Sequence, residues 1–519
     1  MHTFMNLYST RSDQHRKVTR SDHRGSLARS SKHRKAVRQF ILVAGACCAL
    51  VLGGCKKYLS TTPDNRTSLD TPEKVAQLLG TAYPQANYMA FTESISDNVN
   101  DKGIGGLDLT VLNPFFFQDV SDNQDDSPEW YWDGCYAAIA AANEALQACR
   151  NAPDTALYSS EIGEALLARA YAHFMLVTIF SNCYDSTTAG TDPGIPYVTV
   201  PENVVFKQYD RKTVSYVYDM IEKDITEGLP LLDDTRYTVP KYHFTRAAAH
   251  AFAARFYLFK RDYAKVAEHA GQVLPSGDVT PILRPWNTTY MSLTYVDLYA
   301  RYAKATEAAN LLLVETSSLW ARNYYTERYG MDAAKRTEIL NYNVTGGEYA
   351  FLHQLFTVGT NNYLLPKINE YFVKQSVNAT IGTPYVMVPI LTAEEVLFNR
   401  VEANIYLNNT TAALADLNAY ASTRIYNYDP TVHQITAAML NNYYGTGSLQ
   451  ADLLDALMDF KRAEYVQEGM RWFDLLRYKV PVTHTTTTGQ KMTLTATDKR
   501  RLFQIPQSAT LSGLALNPR

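Results

Sequence analysis

The stretch from Arg246 to Leu274 reads RAAAHAFAARFYLFKRDYAKVAEHAGQVL, and its spacing decides the fold class. Apolar residues recur at helical intervals over 245–259 and again over 263–274. Only Arg261-Asp262-Tyr263 separates the two runs, so they fold back on each other as a helical hairpin with a tight connection. Ala247, Ala248, Ala249, Ala251, Ala253 and Ala254 leave room for a neighbouring helix to approach closely.

The same reading extends both ways along the chain. Thr71-Pro72-Glu73 opens a helix that runs to about Tyr83: a cap, a proline at the first helical position and an acid in the first turn. Helices follow at 130–149, 159–180 and 213–229. A second hairpin is expected at 392–407 and 411–424, joined by Asn408-Asn409-Thr410, and one long last helix at 451–478. Between them, 84–128 and 181–210 read as loops, and the tail from 479 as loop and short extended pieces. From 275 to about 390 the helical period fades, although Leu311-Leu312-Leu313-Val314 reads as a strand. The expected fold is therefore mainly α: tetratricopeptide-like helical hairpins in an α-α superhelix, over about 71–275 and 391–480. A large irregular, loop-rich insertion occupies about 276–390. Helix pairs of about 34 residues have the tetratricopeptide length, and such pairs bury a face only by stacking.

The first 38 residues are basic, and their length leaves the true translation start open. An apolar run from Phe40 to about Leu52 is shorter than the roughly 20 residues that span a bilayer and fits a signal-peptide core. It ends in Leu52-Gly53-Gly54-Cys55, where small residues admit a peptidase and the thiol accepts a lipid. Residues 1–54 are thus expected to be a lipoprotein signal peptide, Cys55 the acylated (palmitate-type) first residue, and 55–70 a polar tether. Without the leader, 39 basic and 50 acidic residues remain, a net charge of −11. That acidity argues against nucleic acid and polyanionic ligands. Cys135, Cys149 and Cys183 remain beyond Cys55; the first two share one helix about 21 Å apart and cannot pair with each other. All three read as buried thiols.

Catalytic patterns are missing. No His-Glu-x-x-His, Walker A loop, Gly-x-Ser-x-Gly or Cys-x-x-Cys occurs. Asp119, Asp122, Asp125 and Asp126 lack the order of a calcium loop and read as a solvated loop. His173, His243, His250, His269 and His353 lack ligand spacing and read as structural. Neither cofactor nor metal is expected. In the last helix, Glu464, Glu468 and Arg471 fall on one helical face, and their charges read as fixing helix packing.

Several motifs resemble the SusD/RagB family of outer-membrane lipoproteins from Bacteroidetes. They are Cys55 with Tyr58-Leu59 and Pro63; Trp132, Tyr136, Ile139 and Asn143; and Glu164-Ala165 with Arg169-Ala170-Tyr171. Glu394-Glu395-Val396 and Arg400-Val401-Glu402-Ala403 follow, and then the run Glu468-Gly469, Arg471, Asp474-Leu475 and Arg477. The chain departs from the family at Phe460, where a glutamate is usual, and in its ending Leu516-Asn517-Pro518-Arg519. The resemblance implies a non-enzymatic, surface-exposed lipoprotein of the outer membrane. Such a protein captures glycan and delivers it to a partner SusC-like TonB-dependent barrel transporter. Peptide is the alternative cargo, and a lipoprotein glycoside hydrolase the remote one.

Sugars present apolar CH faces that stack on aromatic rings. Aromatic density outside helical periodicity is highest at Trp286, Tyr290, Tyr295 and Tyr299, and at Trp320, Tyr324, Tyr325 and Tyr329. Asn287, Arg322 and Asn323 are polar neighbours. The expected ligand contacts are Trp286, Tyr290, Trp320, Tyr324, Arg322 and Asn287; the rival reading makes the rings staples of a long insertion.

Overall fold

The computed structural model describes residues 68–204, 207–359 and 361–519. The expected signal peptide, Cys55 and most of the tether lie outside the described residues.

The body is mainly helical. Helix α1 (Pro72–Leu79) starts where Thr71 accepts from the Lys74 amide. Helices α2 (Pro128–Asn151) and α3 (Ser159–Phe180) pack antiparallel, and α3 also packs on α4 (Val214–Gly228). Both helices bring buried alanines to the core, Ala138, Ala142 and Ala145 from α2 and Ala165, Ala168 and Ala172 from α3. Helix α3 has the length and apolarity of a membrane span, yet its residues are buried within the core. The opening hairpin forms as expected from α5 (Arg246–Lys260) and α6 (Tyr263–Val273), and its sharp turn places Arg261 at φ +62°. Helix α6 packs on α8 (Ala393–Tyr406), and α8 on α9 (Thr410–Arg424) and α10 (Leu449–Glu464). Short helix α7 (Tyr295–Tyr302) lies in the insertion.

Three expectations need correction. The first helix stops at Leu79, not Tyr83. The expected loop 84–128 contains two helices, Met89–Ser94 and Leu109–Phe115. The expected helix 451–478 is broken: α10 ends at Glu464 and α11 spans Arg471–Arg477. Between them Gln467 (φ +69°) and Gly469 (φ +73°) turn the chain through left-handed conformations. A Cβ on Gly469 would overlap Thr92 Oγ1 and come within 3.0 Å of Met89 Cα, so only glycine fits. Glu464, Glu468 and Arg471 therefore do not share a helical face, though each is fixed in packing. Glu464 receives Arg424, Glu468 receives Lys367, and Arg471 grips Asp97 through two nitrogens at 2.9 Å.

The insertion contains a three-stranded antiparallel sheet of β1 (Asn310–Ser317), β4 (Glu370–Lys374) and β5 (Gly382–Thr392), in the order β1-β5-β4. A small hairpin of β2 (Phe356–Val358) and β3 (Asn362–Leu364) lies beside it in sequence. Strand β5 runs directly into α8. Cys135 and Cys149 are buried and Cys183 half-buried, all as free thiols.

Candidate functional site

The structure sorts the aromatic residues of the insertion into a buried set and an outward set. Trp286 has 0% exposure and its ring meets Tyr290 at 4.9 Å and Phe351 at 4.8 Å. Tyr290, Trp320, Tyr324 and Tyr329 are buried as well. These four rings, with Trp286, have no face to offer a ligand, which corrects the expectation for Trp286, Tyr290, Trp320 and Tyr324. The physical reason is area: the largest apolar side chains gain most from leaving water. Asn287 is corrected too, because its side-chain amide donates to Ser422 O and Ile425 O, both at 2.8 Å, and so ties the insertion to the end of α9. Arg322 is exposed and paired with Glu370 of β4.

Above the buried rings lies an outward aromatic surface. Thr294 caps α7 by accepting from the Asp297 amide at 3.2 Å. On this helix Leu298 and Tyr302 are buried, whereas Tyr295 and Tyr299, four residues apart, flank them on the same side and stay partly exposed. The Tyr295 ring meets Tyr299 at 5.5 Å and Phe356 of β2 at 4.8 Å, both edge to face. Tyr295 and Phe356 are 36% and 37% exposed, and Tyr299 and Tyr325 are half-buried. Partial burial, with Tyr325 and Tyr299 as neighbours, pushes the Tyr295 hydroxyl above its ordinary pKa.

The base under this surface is rigid. The Gln354 amide donates to Tyr290 O and Met291 O at 2.9 Å, which fixes the segment leading into α7. The Tyr324 hydroxyl donates to Leu365 O at 3.1 Å. At the rim, Lys102 donates to Tyr325 O at 2.9 Å and to Asn362 Oδ1 at 2.6 Å, and burial lowers its ammonium to about 8. The arrangement offers partly exposed rings with an ammonium and an amide at the Tyr325 end, already hydrogen-bonded and so with less freedom to lose on binding. Phe356, Lys102 and Asn362 carried no signal in the sequence, because a three-residue strand and a distant loop supply them.

The other sequence candidates resolve as follows. His173 donates from Nδ1 to Arg169 O at 2.8 Å and accepts from the Val198 amide at 3.0 Å, so burial holds it neutral with its pKa lowered to about 3. The acidic loop is not uniformly solvated: Asp126 is buried and accepts from Ser318 Oγ at 2.6 Å and the Leu319 amide at 2.7 Å. Among the described residues no group of three or more His, Cys, Asp or Glu is placed to hold a metal ion.

A family profile described as starch-binding associating with outer membrane matches residues 57–258, and a profile of the SusD family matches residues 319–510. A SusD superfamily protein from Bacteroides thetaiotaomicron superposes with a TM-score of 0.62 at 19% identity, over 86% of this chain and 100% of that one. A SusD-like carbohydrate binding protein from Bacteroides vulgatus gives 0.58 at 16%, over 85% and 96%. A laminarin binding SusD-like protein gives 0.57 at 16%, over 86% and 97%. No curated relative matches significantly. The two profiles together span most of the chain, and the fold agrees with that of the solved structures: the chain belongs to the SusD/RagB family.

Proposed function

We propose that this chain captures glycan on the surface formed by Tyr295, Tyr299, Tyr325 and Phe356. A lipid on Cys55 tethers it to the outer membrane at the cell surface, and it hands its cargo to a SusC-like TonB-dependent barrel. Its role is capture, not catalysis. The observation that carries this reading is the trio Tyr295, Tyr299 and Phe356, with rings 4.8–5.5 Å apart, half exposed above a buried aromatic base. Sugar CH faces stack on such rings, and Lys102, which reaches Tyr325 O and Asn362, supplies polar neighbours for hydroxyls. The starch-binding description of one family profile and the laminarin-binding description of one relative support glycan as the cargo. Basic peptide is the competing cargo, favoured by the net charge of −11 beyond the leader.

Retardation of the protein in native gels containing starch, laminarin or xylan tests the reading. Retardation by one polysaccharide, relieved by Tyr295→Ala/Tyr299→Ala, supports it. Retention by basic peptides alone overturns it in favour of peptide uptake. Susceptibility of the protein to protease added to intact cells tests surface display.

A further inference from the structure

We infer that the chain carries a second saccharide site, in a cleft of about 710 Å³ between the helical scaffold and the outer face of the insertion sheet. The sheet has two unlike faces. Val314, Val386 and Val388 are buried on the core side, whereas Glu315, Tyr371 and Met387 alternate to the other. There the Tyr371 hydroxyl donates to the Glu315 carboxylate, and its ring stacks on Tyr385 at 6.1 Å. Opposite stand the outer residues of α1 and the segment 236–243.

The far wall is built and held. The Tyr237 ring lies parallel to His243 at 4.5 Å, with only 7° between planes. His243 Nδ1 sits 2.8 Å from Glu164 Oε1, which also accepts the Tyr83 hydroxyl at 2.7 Å. Glu164 is fully buried. Beside it, Arg236 pairs with buried Glu161 at 3.1 Å. Carboxylates inside the scaffold thus fix the ring pair and the guanidinium before any ligand arrives, which lowers the ordering cost of binding.

The lining sets the ligand class. Flat rings at Tyr237 and Tyr242 offer stacking faces, and Gln77 and Gln85 offer amide donors and acceptors. Glu73 and Glu315 also line the cleft, while the Arg236 guanidinium is already paired with Glu161 and the His243 imidazole is hydrogen-bonded to Glu164. An anionic ligand is therefore disfavoured, and a neutral, hydroxyl-rich one fits. The volume falls within the roughly 300–1,000 Å³ of small-molecule sites. None of the residues lining this cleft belongs to the Tyr295, Tyr299 and Phe356 surface.

The test uses the full chain and three probes: maltohexaose, laminarihexaose and cellohexaose, with binding read by calorimetry and saturation-transfer NMR. Gln77 and Tyr242 are exposed, so Gln77→Ala/Tyr242→Ala keeps the fold, which a thermal melt checks. In a Tyr295→Ala/Tyr299→Ala background, one probe is expected still to bind, and the cleft substitutions to weaken that binding at least about tenfold. Loss of all binding in that background overturns the second site, as does residual binding that the cleft substitutions leave unchanged. Wild-type binding that ignores Tyr295→Ala/Tyr299→Ala yet falls with the cleft pair supports the cleft and overturns the reading of the Tyr295 surface, so the two failures are distinguishable.

Discussion

The indole N–H of Trp320 donates to the backbone carbonyl of Gln467 across 3.1 Å, joining the insertion to the turn that breaks the last long helical stretch. The same turn collects more of the insertion. Gln467 Oε1 accepts the Leu365 amide at 3.1 Å, and Glu468 receives Lys367 at 2.7 Å and the Tyr302 hydroxyl at 3.0 Å. Glu93 closes it from below by accepting the amides of Gln467 and Gly469 at 2.9 and 3.0 Å. The Glu468-Gly469 motif therefore ties Tyr302 at the end of α7 and Lys367 of the insertion to this turn. Trp320→Phe keeps much of the ring but leaves a buried carbonyl unmet, and should lower unfolding stability by about 1–3 kcal/mol in urea titration.

Trp286→Ala should cost about 3–5 kcal/mol, because it empties a fully buried site packed by Tyr290 and Phe351. Urea denaturation measures this. A loss of glycan affinity with unchanged stability would contradict the burial of Trp286.

At Gly469, an Ala substitution meets both a left-handed backbone and the Thr92 hydroxyl. The backbone term alone is about 1–3 kcal/mol. Gly469→Ala/Thr92→Ala should recover only part of the loss, since Met89 Cα still stands 3.0 Å from the new Cβ. Thermal melts of the two variants compare them directly.

The Asp126 carboxyl is pushed up to about 7 by burial, against the hydrogen bonds from Ser318 and Leu319, with Asp125 and Asp108 adding to the rise. An unfolded aspartate ionises near 3.9. Between those values the folded chain holds a proton that the unfolded chain has released. This group's contribution is thus greatest below about 4, falls as the pH rises towards about 7, and is level above. Relative to Asp126→Asn, the wild type should lose at least about 1 kcal/mol between pH 5 and pH 8 in urea titrations. A gap independent of pH contradicts this assignment.

Arg322→Ala should change stability by less than about 1 kcal/mol, because the guanidinium of the Arg322–Glu370 pair is half exposed and screened. Weaker glycan binding in this folded variant would make Arg322 a ligand contact, and unchanged binding would leave it a surface ion pair.

The hairpins were legible because apolar spacing and alanine runs are local: Ala248, Ala251 and Phe252 announce their face from sequence alone. The break at 465–470 was not, since one glycine in a helical pattern forces no turn. What requires the glycine there is Thr92 and Met89, nearly four hundred residues away in the chain. Nor could composition separate Tyr295 from Tyr302. Both lie on one helix, and only the docking of α7 through Leu298 and Tyr302 decides which ring faces water. The tryptophans were misread for the same reason: aromatic density marks the region, while burial decides the role.

A crystal of the chain soaked with the oligosaccharide of whichever polysaccharide retards it puts the aromatic surface to the test. Sugar rings stacked on Tyr295, Tyr299 or Phe356 are expected, with hydroxyls reaching Lys102, Asn362 or Arg322. An ordered saccharide elsewhere, with those three rings bare, would contradict that expectation.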